Sequence, residues 1–558
     1  MKRFFISVLL LILAAGAAAA GVFLYFRFSP SDKQVDPAAW FDAADAQVAI
    51  VLDNELASGA KGRYINGQTY LPLGWVNEHL NERFYWDSQD GQIIYALPET
   101  IVYTDQTVTG SSGTPLIVCQ DEEVWLAPEL VSTYTDIRVS LFDEGAVKRV
   151  FIDTGRAPIQ TARVKKDGRI RVLGGIKSAV LAEILEGGEV SILETTENWA
   201  RVRTADGYLG YIQNKLLTEP VEQTIISNFT EPVYTGISLA EPVVLAWHQV
   251  TVPDANKAME QLLANTKGVN VIAPTWFMLT DNNGNYESLA SREYVDKAHA
   301  KGIQVWAVLD NFNQGENVRS EILFASTQAR TKLTEQLMKD VKTYDLDGIN
   351  LDVEMIKAEA GPHYVQFIRE LSTSCRKAGI ILSVDNAIPV ATSMFYNRAE
   401  QGRVADYVII MGYDEHTSGD EKGSSASYNF VKEGIRDTLA AVPKEKVIHA
   451  IPFYTRLWKT DAEGKTTNSA LGITAAEKWV KDNQVELYWQ EELGQYYGEL
   501  TAGNDDYRIW LEEERSLARK MELIYENDLA GVAVWKLGLE PAEIWNVVLA
   551  GLEGRGGT

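Results

Sequence analysis

The chain has 558 residues, of which 46% are hydrophobic and 23% charged, and this composition excludes a disordered tail and a small disulfide-stapled scaffold. Lysine and arginine total 52 against 77 aspartates and glutamates, so the formal net charge is −25. A chain this acidic repels phosphate backbones, and no basic stripe offsets the charge, so nucleic acid is not an expected partner. The two cysteines, Cys119 and Cys375, lie far apart without C-x-x-C spacing, so neither a disulfide framework nor a zinc site is expected.

An apolar segment follows Lys2 and Arg3 at the N-terminus. Residues 4–26 carry no charged side chain, and a helix of this length can span a bilayer. Small residues at 14–21 offer a cleavage site, but apolar residues resume after them, which favours an uncleaved anchor over a signal peptide. Residues 1–28 are therefore predicted to anchor the chain in the membrane, with secretion after cleavage as the alternative. The remainder is expected outside the cytoplasm.

An internal repeat is visible in residues 45–155. Its copies begin near Tyr64 and Val118. Each contains a short hairpin, a brief helix that starts at Pro72 or Pro128, and two alternating strands, which predicts a small α+β domain. The repeat resembles the small domain at the N-terminus of copper amine oxidases, which also occurs in bacterial surface proteins. It supplies no histidine cluster, so no copper site is expected.

Residues 158–218 contain short alternating stretches separated by glycine-rich turns, which predicts a small all-β barrel. A Trp-x-x-Val-x-Thr strand from Trp199 leads to a Gly-Tyr-Ile strand from Gly210. This run resembles the second half of a bacterial SH3 domain. Such domains often contact cell-wall peptide or glycan, and a packing spacer between membrane and enzyme is the alternative.

From about residue 240 the pattern changes to strands that alternate with helical segments, as in parallel βαβ units. Candidate strands begin near residues 243, 270, 303, 348, 380, 406, 446 and 531, which predicts a (β/α)8 TIM barrel over 240–553. The longest insertion runs from Trp458 to Trp510, between the last two strands. The predicted fold class is therefore α/β: a TIM barrel preceded by the α+β repeat domain, the all-β SH3-like domain and a transmembrane helix.

The candidate chemistry lies in the run DGINLDVE on the fourth strand. Side chains alternate along a strand, so Asn350, Asp352 and Glu354 share one face, and the apolar residues between them share the other. With the apolar face against the helices, the carboxylates point into the barrel and approach its C-terminal end, where barrel active sites form. Burying carboxylates is costly unless they are bonded or used, which favours a functional role. The alternative, a solvated edge strand, does not suit a closed barrel.

On these residues, the region from about 240 to 550 resembles a family 18 glycoside hydrolase. The family motif is Asp-Gly-x-Asp-x-Asp-x-Glu; Asp347, Gly348, Asp352 and Glu354 match it, and Asn350 replaces its first inner Asp.

Two further motifs carry the same resemblance. The run Met-Gly-Tyr-Asp-Glu-His places Tyr413 and Asp414 in the family's Met-x-Tyr-Asp position, and Trp535 matches the aromatic floor under the cleaved sugar. These runs most resemble the branch that contains spore-cortex and cell-wall N-acetylglucosaminidases.

The resemblance implies a retaining mechanism in which the substrate's own 2-acetamido group is the nucleophile. It implies that Glu354 protonates the glycosidic oxygen, that Asp352 holds the acetamido N–H and that Tyr413 bonds its carbonyl. Trp535 is expected to stack under the sugar, and Asp414 to bind a hydroxyl. The expected substrate is a β-1,4-linked N-acetylglucosamine polymer, either peptidoglycan or chitin-like, and no metal or other cofactor is expected.

Further residues are predicted to bind substrate: Asn350, Asp347, Trp276, Trp458 and Asn386. Asp310 and Glu415 also end strands and are candidates for subsites. Asn350 cannot share charge with Asp352 as an Asp would, so Asp352 is expected to stay ionised to lower pH.

Two other functions fit the same sequence. One is a catalytically silent glycan-binding protein on the same barrel. The other is a wall-tethering scaffold in which only the N-terminal modules matter. Loss of the acid glutamate is the usual route to a silent barrel, so the presence of Glu354 favours the hydrolase.

Overall fold

The computed structural model describes residues 2–44, 46–145, 147–313, 317–417 and 421–553. The chain forms two compact units. The first contains the residues up to Trp86, Gly91–Ile94 and Tyr103–Glu231, and the second contains Asp87–Asp90, Tyr95–Val102 and the residues from Pro232 onward.

The chain begins with a long apolar helix, α1 (Lys2–Phe28). Its segment Phe4–Phe28 has 25 residues and a mean hydropathy of 2.5, and its most apolar stretch is not buried against protein. By length and composition this helix can cross a membrane, as the sequence predicts. A short helix, α2 (Pro37–Phe41), follows, and the Asp36 side chain caps its first turn.

The next region contains the elements of the predicted repeat: β1 (Gln47–Leu52), β2 (Glu55–Ile65), β3 (Gln68–Pro72), α3 (Leu73–His79), β4 (Tyr85–Asp87), β5 (Gln92–Ala96), β6 (Ile101–Asp105), β7 (Ile117–Gln120), β8 (Glu123–Leu126), α4 (Pro128–Tyr134), β9 (Arg138–Phe142) and β10 (Lys148–Asp153). Each copy has a hairpin, a short helix after Ala127 or Pro72, and two strands. Seven of these strands form a sheet in the order β7-β8-β3-β2-β1-β10-β9. The resemblance to the copper amine oxidase domain stays a prediction.

A second seven-stranded sheet forms the all-β region. Its strands are β11 (Ile159–Arg163), β12 (Gly168–Arg171), β13 (Val180–Ile184), β14 (Glu189–Thr195), β15 (Trp199–Thr204), β16 (Leu209–Gln213) and β17 (Val221–Gln223). The order is β13-β12-β16-β15-β14-β11-β17. Alternate residues such as Val190, Val202 and Ile212 turn inward and form its core, so the prediction of a small all-β domain is confirmed.

The barrel region contains, in chain order, β18 (Val243–His248), α5 (Met259–Leu263), β19 (Val271–Pro274), β20 (Phe277–Leu279), β21 (Tyr286–Ser288), α6 (Arg292–His299), β22 (Gln304–Asp310), α7 (Ser320–Leu323), α8 (Thr327–Tyr344), β23 (Gly348–Asp352), α9 (Gly361–Ala378), β24 (Ile381–Ala387), α10 (Arg398–Val404), β25 (Tyr407–Met411), α11 (Tyr428–Leu439) and β26 (Val447–Pro452). After an insertion come α13 (Glu514–Glu526), β32 (Gly531–Trp535) and α14 (Ile544–Glu553). Eight parallel strands run in the order β19-β18-β32-β26-β25-β24-β23-β22, and the pairing of β19 with β22 closes the ring. The predicted TIM barrel is thus confirmed.

The insertion lies between the last two barrel strands, as the sequence predicts. It comprises β27 (Tyr454–Thr460), β28 (Thr466–Gly472), α12 (Ile473–Asp482), β29 (Leu487–Gln490), β30 (Gln495–Ala502) and β31 (Asp505–Leu511). Its strands form an antiparallel sheet in the order β28-β27-β31-β30-β29. Because β27 starts directly after β26, its first residues lie at the C-terminal end of the barrel.

The barrel interior contains a layer of packed apolar side chains. Trp306 and Tyr407 stack there with ring centroids 5.5 Å apart, among aliphatic side chains from the other strands. Gly348 makes room for this layer: a Cβ there would lie 2.8 Å from the Trp306 side chain and 2.9 Å from the Ile381 carbonyl oxygen. Close packing of the barrel interior therefore requires a glycine at this position of the fourth-strand motif.

Candidate active site

The fourth strand, β23, divides its side chains between two environments. Ile349, Leu351 and Val353 are buried in the layer between the strands and the helices. Asn350 and Asp352 point the other way, into the barrel, and are 0% and 5% exposed. Glu354 follows the strand and is partly buried. The alternation that the sequence predicts is confirmed.

Asp352 and Glu354 form a hydrogen-bonded carboxyl pair. Burial raises the pKa of Glu354, and it raises the pKa of Asp352 well above its usual range, with repulsion from Asp385, Glu354 and Asp310 as further causes. Two buried acids in contact titrate as a pair, so the site retains a proton above the usual carboxyl range. Whether Asn350 lets Asp352 stay ionised to lower pH than an aspartate at position 350 would stays a prediction, since desolvation is the main cause of the raised pKa of Asp352.

One oxygen of Asp352 is available to a ligand. Within the described residues, its Oδ1 is buried and accepts no hydrogen bond. A buried acceptor without a donor is costly in a protein interior. An N–H group of a bound molecule would satisfy this oxygen.

Asn311 fixes the backbone that carries Glu354. Its Nδ2 donates to the Glu354 carbonyl oxygen at 2.9 Å, and its Oδ1 accepts from the Glu354 amide at 2.9 Å. Asn311 is itself fully buried just beyond β22. Sequence reasoning missed this residue; its place beside the strand-ending Asp310 was the available signal.

Asn350 connects three barrel strands. Its Oδ1 accepts from the Trp247 indole at 3.0 Å, and its Nδ2 donates to Ser383 Oγ at 2.9 Å and Asp385 Oδ1 at 2.7 Å. A side-chain amide can both accept from the indole and donate to a carboxylate without titrating. Asn350 thus supports the site from beneath and is itself completely buried.

The fifth strand contributes Asp385 to the site, whereas the sequence predicts Asn386 at this position. Asp385 shares the inward face of β24 with Ser383, and its Oδ2 is buried without a hydrogen-bond partner in the described part of the chain. The Asn386 side chain points outward, where Nδ2 donates to Gln401 Oε1 at 2.7 Å. The prediction that Asn386 binds substrate is corrected on this geometry; counting alternate residues along the strand would have selected Asp385.

Tyr413 follows the sixth strand and is half-buried beside the carboxylates. Burial raises the pKa of its phenol well above the usual value, so the hydroxyl stays protonated and can donate a hydrogen bond. Gly412, just before it, packs closely: a Cβ there would collide with the His449 ring and lie 2.9 Å from the Ala450 carbonyl oxygen. The glycine lets the chain turn toward the site at Tyr413.

Asp414 is held by the insertion. Its Oδ1 accepts from the Tyr454 hydroxyl at 2.6 Å and from Arg456 Nη2 at 2.7 Å. Its backbone has a φ of +61°, a left-handed conformation that is uncommon outside glycine and that clusters at functional sites. Sequence reasoning did not identify Tyr454 or Arg456, since both come from the inserted sheet.

Trp535 ends the last barrel strand and lines a cavity of about 240 Å³. It packs edge-on against Trp247, with ring centroids 5.9 Å apart. Trp276 and Asp310 also line this cavity. Burial raises the pKa of Asp310 to about 6. The Trp276 ring is 1% exposed, and its indole donates to Asn256 Oδ1 at 2.8 Å, so little of its face is open.

Two predicted substrate residues lie elsewhere. Asp347 precedes β23, at the N-terminal end of the barrel, where its Oδ2 bonds His299 Nε2 and the Val305 amide, both at 2.8 Å. Trp458 is 1% exposed within the insertion, and its indole donates to the Gly423 carbonyl at 2.8 Å. Both predictions are corrected: Asp347 connects the end of α6 to β22 at the far end of the barrel, and Trp458 is a core residue.

The remaining candidate, Glu415, stabilises a loop near the site. Glu415 accepts from the Ser427 amide at 2.7 Å and caps the region before α11. In the part of the chain that the structure describes, no group of three or more histidine, cysteine, aspartate or glutamate side chains could hold a metal ion.

The carboxyl pair lies at the C-terminal end of the fourth strand, the end of a TIM barrel where active sites form, and paired carboxyl groups are the catalytic groups of most glycoside hydrolases. Residues 263–540 match the family described as "Glycosyl hydrolases family 18", and residues 167–218 match "Bacterial SH3 domain". The barrel region of the chain is thus similar to glycosyl hydrolase family 18, and this similarity supports a glycosidase.

Individual relatives support this assignment. The chain is 27% identical over 297 residues to the "Uncharacterized glycosylase YvbX" of Bacillus subtilis (strain 168), covering 51% of this chain and 85% of that protein. It is 24% identical to a "Cortical fragment-lytic enzyme" of the same organism, covering 40% of this chain and 54% of that protein. The chain thus spans only about half of the latter relative.

Among solved structures, the spore cortex-lytic enzyme SleL of Bacillus cereus is similar in fold, with a TM-score of 0.51 and 18% identity. The match covers 59% of this chain and 79% of SleL.

Proposed function

We propose that the protein hydrolyses β-1,4 linkages of an N-acetylglucosamine-containing polymer, with retention of configuration and with the substrate's acetamido group as nucleophile. The observation that carries the proposal is the buried, unpartnered Asp352 Oδ1 beside Glu354. This acceptor matches the acetamido N–H of an N-acetylated sugar, which a plain hexose lacks.

Substrate binding assigns the shared proton. When the acetamido N–H donates to Asp352 Oδ1, the ionised form of Asp352 is stabilised, and the proton of the pair resides on Glu354. Glu354 then donates it to the glycosidic oxygen as that oxygen's bond to the anomeric carbon breaks. The acetamido carbonyl oxygen attacks the same carbon and forms a cationic oxazolinium ring, which the Asp352 carboxylate stabilises.

The second half of the reaction reverses the proton movement. Glu354, now ionised, takes a proton from water as the water oxygen attacks the anomeric carbon and the oxazolinium ring opens. Tyr413, with its protonated hydroxyl, orients the acetamido carbonyl for the first step. Trp535 provides the flat apolar surface on which the sugar ring stacks.

Cell-wall glycan is the proposed polymer. Relatives of the barrel are named as a cortical fragment-lytic enzyme and a spore cortex-lytic enzyme, and the SH3-like region at 167–218 fits a wall-associated protein. Helix α1 supports a location on the outer face of the membrane, because it is long, apolar and unburied. Anchoring by α1 keeps the enzyme near the wall in spite of the net charge of −25.

The test compares the wild-type chain with Glu354→Gln on peptidoglycan and on chitooligosaccharides, with release of reducing N-acetylglucosamine ends as the readout. Hydrolysis by the wild type and a loss of about 10³-fold in the variant are expected, the range for removal of a general acid. Binding without turnover in both proteins would show a silent glycan-binding barrel instead.

A further inference from the structure

Lys536 is a cation at the mouth of the barrel that the proposed mechanism does not use. It follows Trp535, the last residue of β32, so its backbone lies at the C-terminal end of the strands. Its Nζ donates a hydrogen bond to Gln249 Oε1 at 2.5 Å. Gln249 directly follows the first barrel strand, β18, so the lysine bridges the ends of the first and eighth strands.

Lys536 lacks an anionic partner in the part of the chain that the structure describes. Within the described residues it forms no ion pair, although the chain carries a net charge of −25. Partial burial lowers the pKa of Lys536, and no carboxylate opposes that effect. The buried Lys520 differs, because its Nζ lies 2.8 Å from a Glu512 oxygen. A half-buried cation that bonds only a neutral amide retains the capacity to bind an anion.

The surroundings place this capacity beside the substrate. Gln249, which holds the lysine, also lines the 240 Å³ cavity together with Trp535. Asp310 and Glu287 line that cavity as well, so an anionic group of the substrate is disfavoured near them. A negative charge is favoured instead beside the Lys536 ammonium group, which bonds Gln249 of the cavity lining.

We propose that Lys536 binds a carboxylate on the substrate sugar next to the one stacked on Trp535, and so selects carboxylated N-acetylhexosamine polymers over neutral ones. The inference rests on the proposed hydrolase function and specifies its substrate class. In peptidoglycan the carboxylate belongs to the lactyl ether of alternate sugars or to the attached peptide. Chitin carries neither group.

The test uses the full chain as wild type, Lys536→Gln, Lys536→Arg and the control Lys301→Gln, whose lysine is exposed before the third barrel strand. Substrates are glycan strands stripped of peptide, intact peptidoglycan and chitooligosaccharides. For Lys536→Gln, the ratio of kcat/KM on carboxylated over neutral substrate is expected to fall about tenfold, chiefly through KM, as for loss of a charged hydrogen bond. Lys536→Arg should retain most of the ratio, and Lys301→Gln all of it.

The substrates separate the two carboxylate sources. A fall on stripped strands identifies the lactyl carboxylate, and a fall confined to intact peptidoglycan identifies the peptide; either supports the proposal. An unchanged ratio, or an equal loss on all substrates, overturns it.

A binding measurement separates this proposal from the proposed function. Glu354→Gln and the double variant Glu354→Gln/Lys536→Gln are titrated calorimetrically with stripped strands and chitooligosaccharides. If the wild type hydrolyses nothing but the lysine substitution still weakens binding of stripped strands selectively, the hydrolase function fails and the lysine assignment stands. If the wild type hydrolyses both substrates and the double variant binds like its parent, the lysine assignment alone fails.

Discussion

Two groups of buried carboxylates in the barrel unit differ in their electrostatic surroundings. Between α8 and α9, Glu370 receives both Arg330 Nε at 2.9 Å and Nη2 at 3.0 Å. Between α9 and α10, Glu400 receives Arg369 Nε at 2.7 Å. These acids are 5% and 4% exposed, and a buried cation balances each. They hold the helices together.

Three carboxylates buried inside the barrel mouth lack such compensation, whereas the more exposed Asp414 pairs with Arg456. Asp352, Asp385 and Asp310 are 5%, 1% and 5% exposed, and none of them pairs with a cation among the described residues. Burial raises the pKa of all three. The two helix acids are balanced by buried arginines and these three are not, and buried titratable groups with perturbed pKa values are typical of functional sites.

Glu370→Gln leaves the Arg330 cation buried without its counter-ion. The free energy of unfolding is expected to fall by about 3–5 kcal/mol, as for breaking a buried ion pair, and kcat of the folded enzyme should change little. Urea unfolding and initial rates measure the two effects. Glu335→Gln, on the exposed face of α8, is the control and should stay within about 0.5 kcal/mol. A large loss of kcat with unchanged stability would contradict the structural role.

Asp352→Asn should have the opposite effects, a higher stability and a lower kcat. Removing an unbalanced buried carboxyl is expected to raise the unfolding midpoint at neutral pH, where the raised pKa of Asp352 opposes its ionisation. The kcat should fall by about 10²-fold or more, because an amide cannot stabilise the oxazolinium cation. Calorimetry and steady-state kinetics test both directions. If the variant unfolds at lower temperature, Asp352 belongs with the structural acids.

Asn350→Asp tests the support beneath the site. A carboxyl there would face Asp385 Oδ1 where the amide now donates at 2.7 Å, and it could bond only when protonated. The kcat at neutral pH is expected to fall about tenfold, the cost of about one charged hydrogen bond, and to recover as the pH is lowered. Asn350→Ala, which cannot titrate, should lose activity without that recovery. An unchanged pH–rate profile would disprove the idea.

The wild-type pH profile provides the mildest test. Glu354 must be protonated to act as the acid, and its pKa is raised by burial. Activity should therefore persist above the usual carboxyl range and be lost as the pH rises through the raised pKa. Measurement of kcat/KM as a function of pH on a soluble chitooligosaccharide locates this loss of activity. If activity is lost at the pH where an unperturbed carboxyl group ionises, Glu354 is not shielded from water.

The amino-acid sequence determined the features that depend on local periodicity. The alternation in DGINLDVE placed Asp352 and Glu354 inside the barrel, and the spacing of eight strands indicated the ring. The apolar run at the N-terminus was sufficient to predict α1. Each of these features follows from the steric period of a strand or from helix length, which neighbouring residues specify.

Only the tertiary structure decided which side chains meet. Asp385 joins Asn350 because β23 and β24 are parallel neighbours in register, and Asp347 is excluded because it precedes its strand. Tyr454 and Arg456 reach Asp414 from a sheet inserted after the seventh strand. These contacts join residues about 30 to 40 positions apart, and barrel closure and insertion packing fix them. No local pattern encodes that geometry, so the electrostatic character of the site became visible only in the folded chain.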